Sequence, residues 1–267
     1  MPARIIVRLE PAGTRPPIPP PHTGPAVNAA FLAALRDSNE GDLSAALHDT
    51  RPPKPYALTP LLDERNRRAG ESSRQVRFEV GILVDSLTAP ALQALATTDT
   101  VRVARCLYSV AAVELAGAAP YPELLAAGRP VERWTFQIVT PVAFFTAREE
   151  GVRRSRPFPE PEWVFSDLYR KWHAFAPDTA LDETTSQAIT QNIEVADYRL
   201  TTAEHLVKAN VPPARGSVGE IIYRVADSRR CSAEAQASLD ALVRFSAYGG
   251  IGDRTGIGMG YVLPAGR

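Results

Sequence analysis

The chain has 267 residues and a mass of 29.0 kDa, which suits one large domain or two small ones. With 45% apolar and 22% charged residues it can bury a core and does not read as a disordered chain. Thirty basic and thirty acidic residues cancel, which removes the simplest argument for a nucleic-acid partner, a basic domain, while leaving a local basic face open.

Three of the thirty cations are lysines, Lys54, Lys171 and Lys208; the others are arginines, whose fork suits phosphate. The same composition also follows from GC-rich codons. Cys106 and Cys231 stand far apart with no CxxC or Cys/His cluster, so neither a disulfide framework nor a zinc site is expected. The start, MPARIIVRLEP, lacks a signal-peptide h-region, and no apolar run approaches the roughly eighteen residues that span a bilayer. The expectation is a soluble, cytoplasmic protein with no membrane partner.

In chain order, 3–9 (ARIIVRL) predicts a strand by its alternation. Seven prolines between Pro11 and Pro25 exclude helix and central strand there. Residues 27–36 and 41–48 predict helices, 56–62 a short strand and 75–85 a stronger one, with an Arg-rich turn before it. A helix over 89–97 and a long strand over 100–115 complete the order β-α-β-β-α-β, that of the ferredoxin-like split βαβ. The second half restarts with a strand over 131–145 and a loop carrying Arg148, Arg153, Arg154 and Arg156. A helix over 161–175 sets Phe165, Leu168 and Trp172 on one face and Asp167, Arg170 and Lys171 on the other. Strands follow over 188–200 and 218–226, then a helix capped by Ser232, a glycine-rich segment over 249–260 and a last short strand. The expected fold is α+β, two tandem ferredoxin-like domains over 1–120 and 121–267 with a C-terminal glycine-rich loop.

That loop, GGIGDRTGIGMG, has the wrong glycine spacing for a dinucleotide fingerprint, and a helix precedes it. It lacks the Gly-Lys-Ser/Thr of a P-loop. What remains is backbone that can approach another backbone or a phosphate closely, or a tight turn that packs the last strand.

The run LVRFSAYGGIGDRTGIGMGYV (242–262) resembles the C-terminal glycine motif of the Cas-six family, the CRISPR-associated endoribonucleases of the repeat-associated RNA-binding superfamily. TPVAFF (140–145) with PFPEPEWVFSDLYRKWHAF (157–175), and ARGSVGEIIYRV (214–225), are similar to that family's strand, loop, helix and hairpin. LHDTRPPKPYALTPL (47–61) resembles the segment that carries the active site in many members.

The resemblance implies ferredoxin-like folds and metal-independent cleavage of CRISPR repeat RNA without a cofactor, by 2′-hydroxyl attack leaving a 2′,3′-cyclic phosphate and a 5′-hydroxyl. It also admits a non-catalytic RNA-binding subunit of a CRISPR effector complex, with other subunits or a second copy of the chain as protein partners. The chemistry needs a proton carrier and a cation for the developing phosphorane charge. A histidine, with an unperturbed pKa near 6.5, suits the first role. His48 and Lys54 have the six-residue spacing of the family's histidine and lysine, and are expected to be catalytic. Their plain alternatives are a helix-end histidine favoured by the dipole and a solvated loop charge. His22 could reach the same cleft; His173 reads as a packed or rim residue on its helix, and His205 as a loop residue. Several relatives carry a tyrosine on the first helix, where this chain has Phe31; Tyr56 is the nearest phenol, and Arg51 could take the third role. Expected RNA contacts are Arg51, Arg148, Arg153, Arg154, Arg156 and, in the glycine segment, Gly250, Gly252, Arg254, Gly256 and Gly258. A second arginine loop, with Arg65, Arg67, Arg68, Arg74 and Arg77, is either another contact or a solvated turn.

Overall fold

Alternation along the first strand decides which way the first sheet faces. In β1 (Ala3–Pro11) Ala3, Ile5, Val7 and Leu9 are buried while Arg8 and Glu10 are exposed. The structure is a computed structural model that describes all residues except 14–16, 39, 71, 72, 74, 146–153, 209, 210, 266 and 267. Helix α1 (Gly24–Asp37) starts with Pro25 in its first turn, where the missing N–H is no loss, and buries Val27, Phe31 and Leu35. There follow α2 (Gly41–Asp49), β2 (Tyr56–Leu58), β3 (Val76–Ile82), α3 (Asp85–Ala96), β4 (Thr100–Val103) and β5 (Cys106–Ala118). The sheet order is β2-β3-β1-β5-β4, all neighbours antiparallel. With the β4 hairpin set aside, this is fourth-first-third-second, the ferredoxin-like order.

The second set runs α4 (Tyr121–Ala126), β6 (Arg133–Val142), β7 (Phe144–Phe145), β8 (Ser155–Arg156), α5 (Pro161–Phe175), α6 (Thr185–Gln191), β9 (Ile193–His205), β10 (Ala214–Val225), α7 (Ala233–Gly249) and β11 (Val262–Ala265). Its main sheet, β11-β6-β10-β9, repeats the same order. Trp134 and Phe136 of β6 and Tyr223 of β10 meet Phe165 of α5 on one buried face, with ring centroids 5.5–5.7 Å apart across the Trp134–Phe165, Phe136–Tyr223 and Phe165–Tyr223 pairs. The Tyr223 hydroxyl donates to the Pro159 carbonyl at 2.7 Å, so its burial leaves no orphaned donor. Ser232 caps α7 by accepting from the Ala235 N–H, as its sequence predicts.

Three sequence expectations need correction. The strand expected over 100–115 is a hairpin: Val103 pairs with Cys106 across a two-residue turn in which Ala104 has φ 54°. No glycine or asparagine marks that turn, so the apolar run reads straight through it. The strand expected over 188–200 begins as α6, which buries Ala188 and Ile189, and turns to strand at Ile193. The strand expected over 131–145 stops at Val142, and Phe144 and Phe145 pair instead with β8.

The chain divides into two units. The first holds Met1–Ala118, Leu206–Pro212 and Arg254–Met259; the second holds Ala119–His205, Pro213–Asp253 and Gly260–Arg267. The glycine segment thus ends one unit at Asp253 and contributes its next six residues to the other. Among the described residues no helix is long and apolar enough to cross a membrane.

Candidate active site

Helix α2 ends at Asp49, before a Pro-Pro pair that cannot continue it. Leu47 is buried and His48 is exposed in the last turn. The chain then doubles back, and the Lys54 Nζ donates to the carbonyls of Leu47 and His48 at 2.5 and 2.9 Å. Lys54 therefore caps the helix whose end carries His48, a favourable place for a cation. Burial lowers the Lys54 pKa, with the nearby Asp49 charge acting against it. An ammonium has three N–H groups; two are engaged here, and the third is what an anion would meet. Arg51 lies exposed on the same turn.

Two residues on, Tyr56 is buried. Its hydroxyl donates to Asn28 Oδ1 at 2.9 Å, and its ring lies 5.3 Å from that of Phe31. Burial pushes the phenol pKa up to about 12. At neutral pH Tyr56 stays protonated and cannot accept a proton. Phe31 is core, as its helical spacing predicts.

The Arg254–Met259 part of the glycine segment belongs to this unit. Arg254 takes φ 64°, a left-handed conformation that few side-chain-bearing residues adopt, and a short 3-10 turn over Thr255–Ile257 follows. A Cβ on Gly256 would sit 3.4 Å from the Tyr56 ring and 3.7 Å from the Lys54 Cγ. A Cβ on Gly258, at φ 88°, would come within 2.9 Å of Gly24 Cα. The structure thus brings His48, Arg51, Lys54, Arg254, Gly256 and Gly258 into one unit, with Gly256 against the Lys54 stem. His22, half-buried, precedes Thr23, whose hydroxyl accepts from the Leu61 N–H at 2.8 Å.

Gly250 and Gly252 belong to the second unit, and their polar groups are already used. The Gly250 N–H donates to Ser246 and the Gly252 N–H to Asp167 Oδ2 at 2.7 Å. The carbonyls of Gly249, Gly250 and Gly252 accept from Lys171 Nζ at 3.2–3.3 Å. A Cβ on Gly252 would meet the Ala143 carbonyl oxygen at 2.7 Å. Asp167 and Lys171, set on the face of α5 opposite Phe165, Leu168 and Trp172, are buried as well: they are 5% and 3% exposed and paired at 2.7 Å. Their i, i+4 spacing was visible in the sequence, but it is also the spacing of an exposed helix pair.

Arg154 and Arg156 are exposed. The Arg156 guanidinium lies 5.0 Å over the Trp163 ring, an arrangement that also leaves a planar cation available to a base. Arg148 and Arg153 lie outside the described residues, as does Arg74. In the other arginine turn, Arg67 pairs with Asp63 at 2.9 Å, and Arg77 pairs with Glu79 and donates to the Asp63 carbonyl and to Asn66. These two arginines knit their own turn. His173 is exposed with its ring 4.4 Å from Tyr169. His205 is the buried last residue of β9 rather than a loop residue. Among the described residues no group of three or more His, Cys, Asp or Glu side chains could hold a metal ion.

A family model described as CRISPR-associated endoribonuclease Cas6 matches residues 136–262, from β6 to the start of β11. Among solved structures, the Cas6 protein TTHB231 of Thermus thermophilus, in a product complex, superposes with a TM-score of 0.81 at 28% identity, over 99% of this chain and 100% of that one. The Cas6 protein TTHA0078, also in a product complex, gives 0.77 at 25% identity over 99% of both chains. A Cas6-related protein from Pyrococcus furiosus shares the fold, with a TM-score of 0.68 at 12% identity over 99% of both chains. No curated protein matches the chain in sequence.

Proposed function

We propose that the chain is a member of the Cas6 family of CRISPR-associated endoribonucleases, whose family model and solved structures it matches, and that it cuts CRISPR repeat RNA without a metal ion, in the cytoplasm, at a site built on the end of α2. The 2′-hydroxyl beside the scissile phosphate loses its proton and attacks phosphorus. The bond to the 5′-oxygen breaks and that oxygen takes up a proton. The products are a 2′,3′-cyclic phosphate and a 5′-hydroxyl, with atoms and charge balanced. His48, exposed on the last turn of α2, moves a proton. Lys54 supplies the cation for the equatorial phosphorane oxygens through its remaining N–H.

One observation carries the assignment: the Lys54 ammonium is bound to the carbonyl of His48 itself. Proton carrier and cation are thereby held at one helix end, which is what in-line attack requires of its catalytic groups. Tyr56 does not take the place of the tyrosine that several relatives carry, because it is buried and its hydroxyl is committed to Asn28. Arg51 is exposed on the same turn, and we assign it a phosphate contact. Arg254, half-buried, is the phosphate contact of the glycine segment, while Gly256 and Gly258 let that segment pack closely on Tyr56, Lys54 and Gly24. Arg154 and Arg156 hold the RNA further from the cut.

The test mixes purified protein with end-labelled repeat RNA in excess EDTA. Wild type is expected to cut at one position and leave a cyclic phosphate. His48→Ala is expected to lose at least about 100-fold in rate while retaining RNA affinity. Full activity in His48→Ala would overturn the site, and a requirement for metal would overturn the mechanism.

A further inference from the structure

The hydrogen bond between Tyr56 and Asn28 decides which way an amide faces. Asn28 stands in the second turn of α1 and is half-buried. Tyr56 is 1% exposed, and among the described residues Asn28 is the one partner of its hydroxyl, at 2.9 Å. A buried phenol gives its proton to an acceptor, and the Asn28 side chain accepts through Oδ1 alone. The amide oxygen is therefore turned to Tyr56, and the two N–H groups of Nδ2 are turned away from it. Among the described residues nothing accepts from Nδ2.

The same phenol lies beside Lys54. A Cβ on Gly256 would sit 3.4 Å from Tyr56 Cε2, 3.7 Å from Tyr56 Cζ, which carries the hydroxyl, and 3.7 Å from Lys54 Cγ. The hydroxyl end of Tyr56 and the Lys54 stem thus meet at one point of the glycine segment. Asn28, Lys54, Tyr56 and Gly256 all belong to the first unit. A phosphorane places charge on both non-bridging oxygens, and each gains from a donor already in position. Lys54 has one N–H to spare, since two are engaged with Leu47 and His48. It serves one of those oxygens, and the other still lacks a donor of fixed direction.

We propose that Asn28 is a catalytic residue: its Nδ2 donates to the second non-bridging oxygen of the scissile phosphate, and Tyr56 is the positioning residue that points it there. The inference rests on the reading above, since it presumes that the scissile phosphate sits at Lys54. An Asn28 that served only as the acceptor for Tyr56 would show the same hydrogen bond, so the decisive readout is an atom of the substrate.

Single-turnover cleavage in excess EDTA is measured on repeat RNA with oxygen, or with either phosphorothioate diastereomer, at the scissile phosphate. Sulfur is a weak acceptor, so a contact appears as coupling between Asn28 and one diastereomer. Asn28→Ala is expected to slow the oxygen substrate about tenfold or more, with RNA affinity within about threefold of wild type. On the sensitive diastereomer its loss should shrink to less than about threefold. Tyr56→Phe is expected to slow the oxygen substrate about threefold, by freeing the amide to turn, and to add nothing in an Asn28→Ala background. Equal losses from Asn28→Ala on all three substrates would overturn the contact. Losses that multiply with Tyr56→Phe would overturn the positioning role. Circular dichroism checks that each variant is folded. If Asn28→Ala is not, Asn28→Asp, which keeps the acceptor for Tyr56 and removes both donors, carries the sulfur comparison; if neither folds, Asn28 is a fold element and the proposal is wrong. Full activity in His48→Ala breaks the His48 assignment and leaves the sulfur comparison standing, whereas a wild type that binds without cutting overturns both.

Discussion

Two of the three lysines do the same thing in different surroundings. Lys54 donates to carbonyls of the last turn of α2, and Lys171 donates to the carbonyl of Gly249, the last residue of α7, and to those of Gly250 and Gly252 beyond it. Each puts a cation at the negative end of a helix. They differ in what else surrounds the ammonium. Lys54 is partly open to water, and no carboxylate pairs with it within salt-bridge distance among the described residues. Lys171 is 3% exposed and locked to Asp167 at 2.7 Å. A lysine bonded only to carbonyls keeps its net charge and can turn toward a phosphate. One neutralised by a buried carboxylate cannot, because leaving would strand that carboxylate in a low-dielectric interior. Burial, rather than residue type or helix position, separates the cation proposed to serve the substrate from the cation locked into the fold.

The sharpest way to break this contrast is to remove each charge partner in turn. Asp167→Ala leaves Lys171 buried without its carboxylate and is expected to cost about 3–5 kcal/mol of stability. Lys54→Met is expected to cost less than about 1 kcal/mol, while cleavage falls by at least about tenfold. Urea unfolding and single-turnover cleavage together check it. Equal stability losses would mean that the two caps are equivalent after all.

The glycines that flank these lysines extend the contrast at smaller scale. Gly252→Ala needs φ 78° and drives a Cβ to 2.7 Å from a backbone oxygen in the second unit. It is expected to lose about 2 kcal/mol or more. Gly256→Ala meets the Tyr56 ring at 3.4 Å and the Lys54 stem at 3.7 Å, contacts that a methyl can nearly satisfy. Its stability should change by less than about 1 kcal/mol, with the larger effect on RNA affinity. The reverse ranking would count against the proposed role of Gly256 beside the Lys54 site.

The sequence made part of this legible. Period-two alternation in 3–9 and the Ser232 cap announce β1 and α7, because each is a local pattern with a local cause. The order of elements led to the paired ferredoxin-like sheets. The hairpin at Ala104 was not legible, since its turn uses residues with no turn signature and only the pairing of Val103 with Cys106 reveals it. The burial of Asp167 and Lys171 was not legible for a related reason. Whether an i, i+4 ion pair faces water or backbone depends on α7 and the glycine segment, more than seventy residues downstream. His48 and Lys54 were legible as a spacing, but the bond from Lys54 to the His48 carbonyl depends on how the chain folds back through the Pro-Pro turn.

The smallest expected effect lies beside Lys54, at Tyr56. Its phenol donates to Asn28, which is partly open to water, so Tyr56→Phe leaves no buried acceptor stranded and should cost about 1 kcal/mol at neutral pH. The pH dependence follows from the direction of the shift. Burial raises the phenol pKa from the ordinary 10 to about 12, so the folded state holds the proton more tightly than the unfolded chain. That contribution is present in full below pH 10 and is lost as pH rises toward about 12. Tyr56→Phe should therefore flatten the fall of stability between those limits, read from urea midpoints at stepped pH. Tyr223 is the matching phenol of the second unit, fully buried and bonded to the Pro159 carbonyl. Tyr223→Phe leaves that carbonyl without its donor in the interior, so it should cost more than Tyr56→Phe at pH 7. An equal cost would mean that water reaches Pro159, and that burial does not distinguish the two phenols as it distinguishes the two lysines.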